Sequence, residues 1–414
     1  MRITDIREAT ASISSEIQNA YVNFSQMTVS VIAVESDVVR DGKRVTGYGF
    51  CSNGRYAQGG ILRERLIPRL RAAADADLLC EFGENFDPRK IRDVMLANEK
   101  PGGHGDRAVA AGALDMAVWD LVAKIEQLPL WRLLSERYNS SRHDERVMVY
   151  PGGGYYYPGK GLDRLQDEMR GYRDQGYTVV KMKIGAVPLA DDLARMEAVM
   201  QLVGGNDLAV DANGRFDLAE ALVYGEAMAP YNLFWFEEPG DPLDFQLNAE
   251  LAAQYSGALA TGENLFSIQD ARNLIRHGGM RPDQDWIQVD PALSYGLTEY
   301  LDIIKMVEGL GWSRRRLIPH GGHQLALALS AGLRPTAAIS APACASAMAM
   351  PCPIPVLAPV TSAVRPVRSK GVVAMVFTLP VWCGGDRAAT TRSPAPGAGS
   401  CRSCDSRRGQ RLRR

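Results

Sequence analysis

Short apolar runs recur along the middle of the chain, each closing on a polar residue or glycine and each followed by a stretch of helical periodicity. They are VMVYPGGG, TVVKMKIG, LAVDANG, LFWFEEP, ALATGEN, WIQVDP and RRLIPHGG. Near-continuous Val, Ile and Leu marks strands covered on both faces, and strands alternating with helices imply a parallel sheet. The first sixty residues read differently. MTVSVIAVES and RVTGYGF are rich in β-branched or aromatic residues and flank Asp41-Gly42, a hairpin turn pair. From about residue 61 to 135 the pattern is helical, and GALDMAVWDLVAKIEQLPLWRLL reads as an amphipathic helix ending before Pro129.

The pattern predicts a small α+β domain over 1–125, a (β/α) barrel over 126–333 and an atypical tail over 334–414. Spacing supports the barrel. From Lys183 to Asp211, Glu237, Glu263, Asp290 and His320 the intervals are 28, 26, 26, 27 and 30 residues. Each of these groups falls where a unit's strand should end, and in a TIM barrel the C-terminal strand ends surround one active site.

Asp211, Glu237 and Glu263 would then offer three carboxylates to one point. Oxygen donors suit Mg²⁺, which keeps positions open for water or substrate, whereas zinc would call for Cys or His. One acid at a strand end is commonly solvated or stabilises a helix N-terminus, but three at equal spacing are not explained that way. Glu238 should point away from Glu237 and serve a structural role.

Lys181 and Lys183 lie two apart on one strand and face the same side. Their like charges are expected to lower the proton affinity of one of them towards the ~7–8 useful in a base. His320 and Asp290 end neighbouring strands, so the carboxylate can orient the imidazole. His323 is the alternative acid, although its position at the start of a helix suits capping or packing.

Composition changes the picture mainly at the end of the chain. Residues 331–414 carry 12 Lys and Arg against Asp386 and Asp405, whereas the upstream part carries 35 Lys and Arg against 46 Asp and Glu. Ten of the 23 prolines and five of the seven cysteines fall in this tail. Its texture is that of a GC-rich gene read out of frame, or of a segment with no face to bury. Cys401 and Cys404 form a CxxC without further ligands nearby, which argues against zinc. The tail arginines lack aromatic partners, so no nucleic-acid partner is expected. With no long uncharged apolar stretch and acids in the opening residues, the expectation is a soluble, cytoplasmic protein without a membrane partner.

Taken together, ALDMAVWDL, the KMK pair, DAN, EEP, GEN, the VDP aspartate and the PHGGH loop resemble the mandelate racemase group of the enolase superfamily over residues 1–333. The resemblance implies a (β/α)7β-type barrel with an N-terminal capping domain and abstraction of the proton alpha to a carboxylate, assisted by Mg²⁺. Carried over by position, Asp211, Glu237 and Glu263 hold the metal, Lys183 is the base, Lys181 binds the substrate carboxylate, and His320 oriented by Asp290 is the second acid/base group. The capping loops Asn19–Gln26 and Ser52–Gly60 would set specificity, with Asn53, Lys100 and Asn213 as contacts to a small hydroxy-acid substrate.

Within the group, the sequences around PHGGHQ, YYYPGK and ANEKPGG are most similar to acid-sugar dehydratases, which points to loss of water from a short hydroxy diacid such as D-tartrate. A racemase or epimerase with the same machinery is the alternative. The expected assembly is a homo-oligomer. The family's eighth strand brings a Glu to the substrate, yet this chain has no Glu after Glu308, so an inactive variant is a further alternative.

Overall fold

The computed structural model describes residues 1–12, 18–51 and 57–333, all within one unit spanning residues 1–381. Asn53, with residues 52–56 of the second capping loop, and the 334–414 tail lie outside the described residues.

An antiparallel sheet opens the chain, with β1 (Ile3–Ser12), β2 (Thr28–Arg40) and β3 (Lys43–Cys51) side by side. Strand β2 buries Thr28, Ser30, Ile32, Val34 and Ser36, the period of two expected when one face is covered. The β2–β3 hairpin turns at Asp41 (φ 48°) and Gly42 (φ 72°), adjacent left-handed residues of the kind that a tight hairpin turn needs.

The helix Asp106–Ile125 covers that face. The sequence reads it as amphipathic, but seventeen of its 20 residues are buried. Its second side is covered too: a Cβ at Gly112 would strike the Ala292 carbonyl oxygen, and the Trp119 indole donates to Thr298 Oγ1 at 2.9 Å. A helix buried all round needs no polar stripe. Gly47 and Gly49 on β3 let it approach, because a Cβ at either would strike the Ala117 or Ala113 carbonyl oxygen.

The second sheet is parallel and follows chain order: β4 (Gly152–Gly153), β5 (Val180–Lys183), β6 (Leu208–Asp211), β7 (Trp235–Glu237), β8 (Leu259–Thr261) and β9 (Trp286–Ile287). Helices Leu162–Asp174, Leu189–Val203, Leu218–Met228, Phe245–Gln254 and Ile268–His277 connect consecutive strands. The seventh run is not a full strand. It contributes a parallel bridge from Leu317 to Ile287, and the Ile318 amide donates to the Ile287 carbonyl at 2.9 Å.

Alternation along the strands sorts the two faces. Val180, Met182, Val210 and Phe236 pack outward with Met169, Met196 and Tyr224. Ala209, Trp235, Ala260 and Ile318 form a separate inner cluster. Strand register places Lys181, Ala209 and Trp235 in one row and Lys183, Asp211 and Glu237 in the next.

Candidate active site

The second row is where the chemistry collects. Carboxylate oxygens of Asp211, Glu237 and Glu263 lie within 4.8 Å of one another. Asp211 and Glu237 are the last paired residues of β6 and β7, whereas Glu263 stands two residues beyond β8. Gly262, with φ 134°, makes the turn between β8 and Glu263, and a Cβ there would press on the Gln288 and Val289 amide nitrogens.

Both lysines reach this cluster. Lys183 Nζ lies 2.5 Å from Asp211 Oδ2, and Lys181 Nζ lies 3.0 Å from the same oxygen while also pairing with Glu237 Oε1. Tyr150 and Tyr155 present their rings to Lys181 and Lys183. Burial is the largest influence on Lys183 and lowers its pKa, as does Lys181, but Asp211 together with Tyr155 and Glu263 raises it and the net direction is upward. The expected depression of a lysine pKa by its like-charged neighbour is therefore corrected: Lys181 acts in the expected sense, but Asp211 at 2.5 Å, with Tyr155 and Glu263, turns the net direction upward.

On the opposite flank, His320 Nε2 stands 3.0 Å from Glu263 Oε2, close enough for an ion pair but not aligned as a hydrogen bond. His320 Nδ1 lies 3.0 Å from Asp290 Oδ2. Asp290 and His320 both sit three residues past the last paired residue of their strands, on loops rather than strand ends. Burial opposes charge on Asp290, yet the hydrogen bonds from His320 and His323 hold its carboxyl well below the usual range.

The remaining expected contacts divide. Asn213 is at the site: its backbone amide donates to Asp211 Oδ1 at 2.9 Å, its φ is 50°, and its buried side-chain oxygen has no hydrogen-bond partner. Lys100 lies exposed on a Gly-rich loop, its carbonyl accepting from Arg107 at 3.2 Å. The first capping loop does reach the barrel. Tyr21 donates to the Gly214 carbonyl at 3.3 Å, and the ring of Phe24 meets Tyr155 edge-on.

Glu238 is buried and both its oxygens accept from Asn264 Nδ2, at 2.9 and 3.1 Å, while its φ of 41° takes it out of the extended strand path expected for it. Burial, then the Glu263 and Asp211 charges, push its pKa well up. Sequence reasoning missed Gln288 and Trp235, which donate to Glu237 Oε2 at 3.0 and 2.8 Å and so orient that carboxylate. The one available signal was a Gln inside the apolar run WIQVDP, two residues before Asp290.

The donor set fits a hard dication. All three clustered groups are oxygen ligands, and the unpartnered Asn213 oxygen adds a polar atom without a protein donor. Burial first, and then the adjacent Asp211 charge, push the Glu237 pKa up to about 7. The ion such a set takes is Mg²⁺. Among the described residues, no helix is long and apolar enough to cross a membrane.

Known proteins share this arrangement of domains. Residues 8–135 match the mandelate racemase / muconate lactonizing enzyme N-terminal domain, and residues 164–375 match the enolase C-terminal domain-like family. The second match runs past residue 333, where the sequence reading ends the resemblance. The chain is 31% identical over 310 residues to L-talarate/galactarate dehydratase of Salmonella typhimurium, covering 74% of this chain and 72% of that protein. It is 30% identical to arabinonate dehydratase of Saccharolobus solfataricus, over 58% of this chain and 61% of that one. The crystal structure of L-talarate dehydratase from Polaromonas sp. JS666, complexed with Mg and L-glucarate, superposes with a TM-score of 0.65 at 28% identity, covering 80% of this chain and 84% of that one. A racemase from Streptomyces coelicolor with bound magnesium gives 0.67 at 25% identity, covering 80% and 87%. The chain thus belongs to the mandelate racemase / muconate lactonizing enzyme family of the enolase superfamily, with its N-terminal cap and C-terminal (β/α)7β barrel.

Proposed function

We propose that this protein dehydrates a small hydroxy diacid, with D-tartrate as substrate and oxaloacetate as product. The observation that carries the reading is the placement of Lys183 and His320 on opposite flanks of one carboxylate cluster, the first against Asp211 and the second against Glu263. Relatives named as acid-sugar dehydratases support the reaction class.

In this reading Asp211, Glu237 and Glu263 hold Mg²⁺, which supplies positive charge against the oxyanion that develops when a weakly acidic proton leaves, an effect of several kcal/mol. Lys183 accepts the alpha proton. It acts as the free amine, so its ion pair with Asp211 opens first. Lys181, on the same strand face, binds the substrate carboxylate. His320 donates a proton to the β-hydroxyl as the carbon–oxygen bond breaks, releasing water and leaving an enol that becomes the keto acid. Asp290 orients the imidazole through Nδ1 and leaves Nε2 for this transfer. Asn213 and Asn53 contact the substrate, and Lys100 takes its distal carboxylate.

Incubation with a panel of acid sugars and Mg²⁺ in deuterated water tests the proposal. A keto acid formed from tartrate supports it. Deuterium entry at the alpha carbon without loss of water would instead identify a racemase or epimerase using the same two residues. A folded, Mg²⁺-binding protein that leaves every β-hydroxy acid untouched would end the dehydratase reading.

A further inference from the structure

We infer that His323 is a positioning residue that fixes the Asp290–His320 pair, and that a backbone amide sets its tautomer. The inference rests on the proposed role of His320 but concerns different atoms. His323 directly precedes the helix Gln324–Leu333, and its Nδ1 accepts the Ala326 amide at 3.1 Å. A ring nitrogen that accepts a hydrogen bond carries no proton, so the proton of neutral His323 resides on Nε2. That nitrogen lies 3.2 Å from Asp290 Oδ1 and donates to it.

Asp290 Oδ1 also accepts the Ala292 amide at 2.7 Å. With two donors on Oδ1, the carboxylate is locked in rotation and turns Oδ2 to His320 Nδ1. The order runs from the Ala326 amide to His323, from His323 to Asp290, and it fixes which nitrogen of His320 faces the carboxylate cluster. Ligands oriented in this indirect way commonly lose 10–100-fold, roughly, when the supporting contact is removed.

Two packing features hold the relay in place. The Phe50 ring meets the His323 ring edge-on, with centroids 5.8 Å apart. Gly321 has φ 86°, and a Cβ there would come within 2.8 Å of the His323 ring and 3.1 Å of Asp290 Oδ2. The glycine directly after the first histidine of PHGGH, Gly321, therefore leaves the space that the relay occupies.

The test is ¹⁵N–¹H imidazole spectroscopy of histidine-labelled protein, in which only five histidines require assignment, with H323L and H323Q as variants. The expected wild-type spectrum shows His323 protonated on Nε2 alone and a hydrogen-bonded Nδ1 proton on His320. That His320 signal should disappear or shift in H323L and persist in H323Q, whose amide can still donate to Asp290. A His323 proton on Nδ1, or an unchanged His320 signal in H323L, would overturn the inference. In turnover, H323L should lower kcat about 10–100-fold with KM unchanged, and H323Q should recover most of it; equal losses in both variants would also overturn it. Wild-type protein without any turnover would sink the proposed dehydration while the spectra still decide the relay.

Discussion

Replacing Asp115 with Asn should flatten part of the pH dependence of stability. Asp115 lies in the middle of the buried helix Asp106–Ile125 and is 2% exposed. Its oxygens accept the Thr298 hydroxyl at 2.5 Å and the Thr298 amide at 3.1 Å, at the start of the helix Leu297–Gly309. Burial pushes its pKa from the ordinary 3.8 up to about 7, against the lowering effect of the Thr298 hydrogen bonds. The folded carboxyl thus keeps its proton while the unfolded one has lost it. Between those two values the unfolded state binds fewer protons, so stability falls as pH rises from about 4 to about 7 and is level above that. At about 1.4 kcal/mol per pH decade, the full loss is on the order of 4 kcal/mol, of which about 3 kcal/mol falls between pH 5 and pH 8.

D115N is neutral throughout. The Thr298 hydroxyl can turn from donor to acceptor and the Thr298 amide still finds an oxygen, so both contacts survive. Denaturant unfolding of both proteins at pH 5 and pH 8 supplies the double difference, in which groups common to the two proteins cancel. The variant should gain on wild type by about 3 kcal/mol across that interval. Parallel stability curves within about 0.5 kcal/mol would refute the reasoning, because Asp115 would then titrate alike in both states.

Four other outcomes are expected. Mg²⁺ at a hundred times its dissociation constant should raise unfolding free energy by about 2.7 kcal/mol, and E263Q, which removes one clustered charge, should weaken Mg²⁺ binding measured by calorimetry; unaltered affinity would detach Glu263 from the metal. K181M removes an ammonium 3.0 Å from Asp211, so it should bind Mg²⁺ more tightly than wild type while losing affinity for diacid, and weaker Mg²⁺ binding would contradict the ion-pair competition. G49A places a methyl group on the Ala113 carbonyl and should cost about 1–3 kcal/mol or more in thermal or denaturant unfolding, with a neutral result showing that the helix can move off the sheet.

How legible the site was follows from how each residue is held. Lys183, Asp211 and Glu237 share one row of strand register, so period-two alternation and the spacing of short apolar runs locate them directly. Glu263, Asp290 and His320 stand two or three residues past their last paired residues. Only their recurrence interval exposes them, since a turn leaves no periodicity of its own. Gln288 and Trp235 act through hydrogen bonds to one Glu237 oxygen, and a single polar or aromatic residue within an apolar run has no distinctive spacing. The burial of both sides of Asp106–Ile125 depends on what packs against it, which an apolar helix pattern alone does not reveal.

The lysine pair shows where linear reasoning reverses sign. Two ammoniums on one strand face imply repulsion, and that repulsion is present, but the residues opposing them come from β6 and β7, 28 and 54 positions beyond Lys183. Asp211 takes contacts from both lysines, so its charge is balanced by ammoniums from the neighbouring strand. A dication entering the cluster competes with Lys181 and Lys183 for the same oxygens. On the proposed reading, a dication held by Asp211, Glu237 and Glu263 would take over the oxygen that Lys183 now contacts, so metal binding and release of the proposed base would be two consequences of one exchange of partners at Asp211.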